Sequence, residues 1–374
     1  MVDVVVTGVG LWTALGPSVE NTWSALLMSE SKIALRQPFL SLPAMPLAMV
    51  DKYPVDPDAM VTWVVQAALK DANWSGNSTS KECGGCPVVV GSSRSYLNRW
   101  EAMARHELPL EHWLTALPCS LSNRVAQVVG SCGPVLAPMA ACATGLWALF
   151  HGYLMLQSGQ WKRAVVTAVD ATITPLTLAG FRRMGAMASD GCYPFDCDRS
   201  GLVLGEGAAA VVLETKETAT APAYGQILGF GLSNDAHHIS SSRPDGALKV
   251  AQQCLRRSGL QAGDIDYVHA HGTGTRLNDA NEAYMMERLF PEVAISSTKG
   301  ATGHTLGAAG LVGAVFSLLS LKDQCLPPCV GLKQPEFDLN FVRDHPRQTT
   351  VNHLLCNSFG FGGQNAMVAI ARCA

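Results

Sequence analysis

Four short segments of this 374-residue chain carry residue types that can do chemistry. In the first, Ala140-Ala141-Cys142-Ala143-Thr144-Gly145, a cysteine opens an apolar stretch, 142–157, that reads as a helix. A thiol at a helix N-terminus meets unpaired backbone N–H groups and the positive end of the dipole, which favour thiolate over thiol and so nucleophilic attack. Taken alone, a buried structural cysteine is the stronger reading. The second, His269-Ala270-His271-Gly272-Thr273-Gly274-Thr275, follows a strand-like run and ends in a glycine-rich turn. The third, Lys299-Gly300-Ala301-Thr302-Gly303-His304-Thr305-Leu306-Gly307-Ala308-Ala309-Gly310, sets His304 at the start of another apolar helix. Glycines permit close backbone approach and unusual dihedrals, so both histidines can be held in a tight pocket. Two histidines so placed, with a helix-capping cysteine, point to nucleophilic catalysis. The fourth, Asn357-Ser358-Phe359-Gly360-Phe361-Gly362-Gly363-Gln364-Asn365, lies between two apolar runs. Such a turn offers free N–H groups, as an oxyanion hole needs, and equally suits a plain hairpin.

The elements that must position these residues alternate. Apolar runs at 4–6, 88–90, 164–169, 208–213, 267–270 and 367–370 read as buried strands, being short, branched and bounded by glycine or polar residues. Helical patterns fall at 61–70, 142–157, 248–257, 282–289 and 306–321. The chain is therefore α/β. A Thr-, Ala- and Pro-containing stretch, 216–223, divides it into 1–215 and 216–374, and each part opens on an apolar strand, at Val4 and at Ile227. That is weak support for an internal duplication, since no residue-level repeat is visible. Residues 305–321 carry no charge but are short for a bilayer and rich in Gly and Ala, so a buried core helix is expected rather than a membrane span.

Composition narrows the function further. With 15% charged and 48% hydrophobic residues, the chain favours thick layered burial or a sizeable subunit interface. The formal net charge of -3 and the lack of a basic run argue against nucleic acid. Twelve cysteines, in a chain whose first residues lead straight into a strand, read as reduced thiols in the cytoplasm. Cys83-Gly84-Gly85-Cys86 and the pair Cys325 and Cys329 lack partners at zinc-site spacing, so no metal is expected. Gly8-Val9-Gly10 has Thr13 where a dinucleotide fingerprint needs glycine, and no cofactor is implied.

Taken in order, and with 181–188, Pro194-Phe195-Asp196-Cys197-Asp198-Arg199, Gly205-Glu206-Gly207-Ala208 and Ser233-Asn234-Asp235-Ala236-His237-His238, the four segments resemble the β-ketoacyl-acyl-carrier-protein synthases. These are elongating condensing enzymes of the thiolase superfamily, and the likeness spans nearly the whole chain. It implies a thiolase-like, five-layered αβαβα fold of two similar halves. Residues 1–215 would carry the nucleophile and 216–374 the two histidines, usually in a homodimer. By the same resemblance Cys142 accepts an acyl group from an acyl carrier protein, and its N–H and that of Phe361 form the oxyanion hole. His271 and His304 then assist decarboxylation of malonyl-carrier protein and stabilise the enolate that attacks the acyl-cysteine. Lys299 and Glu282 match positions that support the histidines, a solvated pair being the plain alternative. Phe361 resembles a gating residue, and Phe359, Gly360, Thr273 and Thr275 fall in substrate-binding segments.

The match has departures. His269 stands where the family usually has an acidic residue and is left out of the catalytic set, and His237 and His238 are given structural roles. Ala140 replaces a common hydroxyl residue, Gln364 a common threonine, and the chain is trimmed around 35–55 and 92–121. Residues 53–65 lack the basic groups that dock carrier protein in relatives, which leaves Arg94, Arg99, Arg124, Arg182 or Arg183 for that task. Two other readings stand beside the synthase. A non-elongating, chain-length-factor-like partner subunit would have lost the nucleophile, and a coenzyme A-dependent thiolase would pair Cys142 with a second cysteine near the end.

Overall fold

Valine- and alanine-rich runs without charge form strands only where both faces are covered, and that burial sets the architecture. The computed structural model describes residues 2–74 and 85–373, so Cys83 lies outside the described residues. The main sheet has ten strands: β1 (Val4–Thr13), β2 (Val88–Gly91), β3 (Val135–Leu136), β4 (Arg163–Asp170), β5 (Gly207–Thr215), β6 (Gly225–Asn234), β7 (Tyr267–His269), β8 (Ala294–Ser296), β9 (His353–Gly360) and β10 (Gln364–Ala371). The helices are α1 (Val19–Leu27), α2 (Pro57–Asp71), α3 (Leu97–Ala104), α4 (Pro118–Val129), α5 (Thr144–Gln157), α6 (Pro175–Arg183), α7 (Pro244–Ser258), α8 (Arg276–Leu289), α9 (Lys299–Thr302) and α10 (Ala309–Asp323).

Strand pairing shows the duplication, of which the residues keep a Gly-x-Gly-Leu stretch at 8–11 in β1 and 229–232 in β6. In order β3-β2-β4-β5-β1, the first three strands are parallel and the last two join antiparallel. In order β8-β7-β9-β10-β6 the same pattern recurs. The two strands that open the halves, β1 and β6, meet antiparallel through Val4↔Ile227, Val5↔Gln226 and Val6↔Gly225. Helices α2 and α4 cover the outer face of the first half, and α7 and α8 that of the second. Between the halves lie α5 and α10, giving five layers, αβαβα.

Helix α10 is apolar all round because it is covered on all sides, whereas α5 leaves Leu154 exposed on one side. Among the described residues, the segment Leu306–Asp323 is the one helix long and apolar enough to cross a membrane, and 89% of it is buried inside the protein. Its place between two sheets accounts for its composition. The helices touch at their first turns. A Cβ on Gly145 would stand 2.5 Å from Leu311 N, and one on Gly310 would stand 2.9 Å from Leu146 N. Glycine at both positions thus lets two backbones approach, and it brings the residues just before each helix, Cys142 and His304, to one place.

Candidate active site

Cys142 sits in a strained turn ahead of α5, so the helix begins at Thr144 rather than at the cysteine. Ala141 takes φ 47°, a left-handed value that costs a non-glycine residue about 1 kcal/mol or more. Thr144 holds the turn: its Oγ1 accepts from Ala140 N (2.8 Å) and donates to Ala141 O (2.6 Å). From the other half, Ser358 Oγ donates to Cys142 O (2.9 Å). Gly360 ends β9 against this turn, where a Cβ would stand 2.7 Å from Ala140 O and 3.0 Å from Cys142 N. With no side chain there, the Phe361 N–H reaches the Cys142 sulfur.

The protonation of the thiol differs from the sequence expectation. Burial pushes Cys142 up to about 11, while the Arg94 and Lys299 charges and the Phe361 N–H pull it down and Asp170 pushes it up. The α5 dipole acts on the same side as those cations. Desolvation outweighs them, so the resting group is the thiol, and its proton leaves only as attack proceeds.

His271 follows the C-terminal end of β7, and Glu282 on α8 fixes its loop. Glu282 Oε1 accepts from His271 N (2.7 Å) and Asn357 Nδ2 (3.0 Å), and Oε2 from Gly272 N (2.7 Å) and Asn278 Nδ2 (3.4 Å). Lys299 Nζ donates to the His271 carbonyl. Both charged residues are buried, which overturns the solvated-pair alternative. Burial pushes the Glu282 carboxyl up against the pull of these donors, and pushes the Lys299 ammonium down against the pull of Glu282.

His304 is held through its backbone by the 203–205 segment of the first half: its N donates to Val203 O (2.7 Å) and its O accepts from Gly205 N (3.0 Å). The rings of His271 and His304 lie 5.3 Å apart at 81°. Burial, then the Lys299 charge, drives both well below the ordinary imidazole range, so both are neutral near pH 7. Nδ1 of each ring is buried without a partner, which leaves Nε2 as the nitrogen able to meet a substrate.

Cys142, His271 and His304 line one cavity of about 350 Å³, together with Thr273, Thr275, Phe359, Gly360 and Phe361. The Thr273 and Thr275 hydroxyls are 2.9 Å apart. Phe361 stacks on Phe181 with centroids 6.0 Å apart. Lys299 and Glu282 do not line the cavity; they reach it through His271. His269 is also behind the wall, its Nε2 3.3 Å from Thr298 Oγ1 and its ring driven down to about 3 by burial, hence neutral. His237 and His238 are exposed and off the cavity, while Ser240, Ser241 and Ser242 line it.

The arginines reserved for docking separate. Arg99 pairs with Asp58 (2.7 Å) and Asp56 (3.7 Å), Arg124 Nε donates to Thr62 Oγ1 (3.3 Å), and Arg94 turns inward over Phe181. Arg182 and Arg183 are exposed at the end of α6, next to Met184 and Gly185 of the cavity wall. Sequence reading missed Asp170, Asn357 and Ser358. The last two stand at the head of the fourth segment, where polar residues inside a strand run were the signal; Asp170 ends a strand and gave none.

Comparison with known proteins bears on this arrangement. Models described as the N-terminal and C-terminal domains of beta-ketoacyl synthase match residues 58–219 and 224–333. The chain is 33% identical to the mitochondrial 3-oxoacyl-[acyl-carrier-protein] synthase of Arabidopsis thaliana, over 98% of this chain and 93% of that protein. It is also 33% identical to 3-oxoacyl-[acyl-carrier-protein] synthase 2 of Vibrio harveyi, over 99% of each. Among solved structures, a beta-ketoacyl synthase from Burkholderia phymatum superposes with a TM-score of 0.90 at 26% identity, covering 100% of both chains.

Proposed function

From the premise that this chain belongs to the β-ketoacyl synthase family, we propose that it condenses a carrier-bound acyl group with malonyl-acyl carrier protein, using Cys142, His271 and His304. It is an acyltransferase. The observation that carries the residue assignment is the convergence of one thiol and two neutral imidazoles on one cavity, with the Phe361 N–H directed at the sulfur.

Acyl transfer comes first. Cys142 Sγ attacks the thioester carbonyl, and the oxygen that gains charge is received by the N–H groups of Cys142 and Phe361, each donor being worth ~3 kcal/mol in such a transition state. The carrier thiolate leaves and takes the proton that the thiol gave up. Malonyl-carrier protein then enters, its C–COO⁻ bond breaks, carbon dioxide departs, and the electron pair forms a thioester enolate. Two neutral imidazoles, each donating through Nε2–H, stabilise the enolate oxygen without the charge an imidazolium would add. The enolate carbon attacks the acyl carbonyl, the C–S bond to Cys142 breaks, and the thiolate takes up from water the one proton that decarboxylative condensation consumes. Glu282 and Lys299 act as positioning residues through His271.

A thiolase would bring a second cysteine into the cavity. Cys356 instead lies against His269 Nδ1 (3.9 Å) and the Gly310 carbonyl. The retained nucleophile likewise speaks against a partner subunit without activity. Carrier docking is assigned to the face of Arg182 and Arg183, which meets an acidic partner beside the mouth. A homodimer is assigned to the β3 edge, where Val135 and Leu136 are half-buried and Met139 is 57% exposed in the single chain. A reactive thiol also suits the reducing cytoplasm.

The test is intact-protein mass spectrometry with acyl- and malonyl-carrier proteins, alongside measurement of carbon dioxide release. Wild type is expected to gain an acyl adduct that vanishes as product forms, Cys142→Ala to gain none, and His304→Ala to lose about 100-fold or more in decarboxylation while still being acylated. Condensation by folded Cys142→Ala would refute the assignment.

A further inference from the structure

Beside the nucleophile stands a cation that the condensation chemistry does not use. Arg94 lies in the loop between β2 and α3, and Asp170 fixes that loop from within the fold. The Asp170 carboxylate accepts from Ser92 Oγ (2.6 Å), Ser93 N (3.0 Å) and Arg94 N (2.9 Å), and from Gly307 N (2.6 Å) in the loop after His304. The backbone of Arg94 is thus tied to both halves of the site. Ser95 after it takes φ 49°, and strain of that kind persists only where the surroundings impose it.

The side chain is half-buried and lies against Phe181, a wall residue of the cavity, without itself lining it. Its guanidinium carbon lies 5.6 Å from the centroid of Phe181, the ring on which Phe361 stacks. Of the charges acting on the Cys142 thiol, that of Arg94 is the strongest. Yet Arg94 Nε is fully buried with no hydrogen-bond partner, and the guanidinium joins none of the ion pairs among the described residues. The side chains that pack with Cys142 and with Phe181 are apolar, Ile173, Leu178 and Leu202 among them, and Phe361 leans on them. A buried donor without an acceptor is costly, and a hydrocarbon chain laid against this half-buried guanidinium would remove water from its remaining N–H groups and return nothing. An oxygen at that point would satisfy it.

We propose that Arg94 is a specificity-determining residue for the acyl group, hydrogen-bonding an acceptor oxygen, ketone or carboxylate, carried along the chain that Cys142 binds. The enzyme therefore loads oxygenated acyl chains in preference to plain hydrocarbon ones of the same length. This rests on the acyl-cysteine reading above. The planar fork of arginine suits a carboxylate through two parallel bonds and a ketone through one, so a carboxylate is the stronger ligand of the two.

The test offers wild type, Arg94→Met and Arg94→Lys equal amounts of one carrier protein bearing three acyl groups of equal length: unsubstituted, with one internal ketone, and with a terminal carboxylate. Adducts on Cys142 are read by intact mass. Wild type is expected to load the oxygenated chains at least about tenfold faster than the hydrocarbon, as pairing of a buried donor requires. Arg94→Met should abolish or reverse that ratio, and Arg94→Lys should keep part of the carboxylate preference. A ratio that is the same in wild type and Arg94→Met, or a wild type that prefers hydrocarbon, overturns the role of Arg94 alone. No adduct from any of the three donors on folded wild type removes the acyl-cysteine reading, and this inference with it.

Discussion

Replacing Glu282 with Gln exchanges an oxygen for an NH2 group, and the surroundings of that side chain decide the consequence. All four partners of the carboxylate are donors: His271 N and Asn357 Nδ2 on Oε1, Gly272 N and Asn278 Nδ2 on Oε2. A glutamine keeps one oxygen, so whichever way the amide turns, two donors face an NH2 group. The two shortest bonds, both 2.7 Å, lie on different oxygens, so each orientation releases one of the two backbone anchors of the His271 loop. At roughly 1.5–3 kcal/mol for each hydrogen bond to a charged group, the loss is about 3–6 kcal/mol. Gln also escapes the burial cost that pushes the Glu282 carboxyl up, so the lower end, about 3 kcal/mol, is the expected fall in stability. A catalytic group misplaced by ~1 Å loses ~100-fold in rate. Urea unfolding should therefore show the stability loss. Carbon dioxide release should fall by about that factor while acylation of Cys142, which does not use His271, changes less than about tenfold. A Glu282→Gln enzyme that unfolds at the wild-type midpoint and decarboxylates at the wild-type rate would show that the four-donor cradle does not position His271.

Gly360→Ala would bring a Cβ within 2.7 Å of the Ala140 carbonyl, a backbone atom that cannot turn away. The expected cost is about 1–3 kcal/mol in stability, with acylation of Cys142 slowed by about 100-fold, measured by thermal unfolding and by adduct mass against time. An unaltered acylation rate would mean that the nucleophile turn tolerates displacement. Glu206, buried between Val50 N and Val55 N, is pushed up to about 7 by burial against those two donors. A carboxyl raised in the folded state contributes stability that is full below its unfolded value near 4.5 and is lost as pH rises through about 7. Glu206→Gln does not titrate, so its stability relative to wild type should improve by up to about 3 kcal/mol between pH 4.5 and pH 8, read from urea unfolding at several pH values. A difference that does not change with pH would refute the assigned protonation.

What the sequence carried and what it did not divides along the range of the interactions. Cys142, His271, His304 and the 357–365 turn were legible because each sits at the end of a strand or helix whose apolar pattern is local. The alternation of strand and helix was legible for the same reason. The duplication was legible only faintly, in the apolar openings at Val4 and Ile227, because its substance is which strands run parallel, and β1 and β6 share little beyond a Gly-x-Gly-Leu stretch at 8–11 and 229–232. The state of the Cys142 thiol was read wrongly because a helix end is visible in sequence and depth is not; desolvation depends on everything packed around the sulfur.

Arg94 shows the same limit from the other side. In sequence it is one of several arginines in polar surroundings, and docking is the natural reading. What fixes its backbone is Asp170, 76 positions away, whose carboxylate takes the Arg94 N–H, and the side chain then lies against Phe181. The Asp170 carboxylate also takes the N–H of Gly307, so one buried acid fixes both the cation beside the nucleophile and the loop after His304. The loop of the proposed acyl-selecting cation and the loop after the second imidazole are thereby held by one carboxylate that does not itself line the cavity. Position along the chain cannot reveal such a link, because its members come from three separate strands and loops that meet at Gly307, where a Cβ would stand 2.7 Å from both Asp170 Oδ2 and Ser93 N.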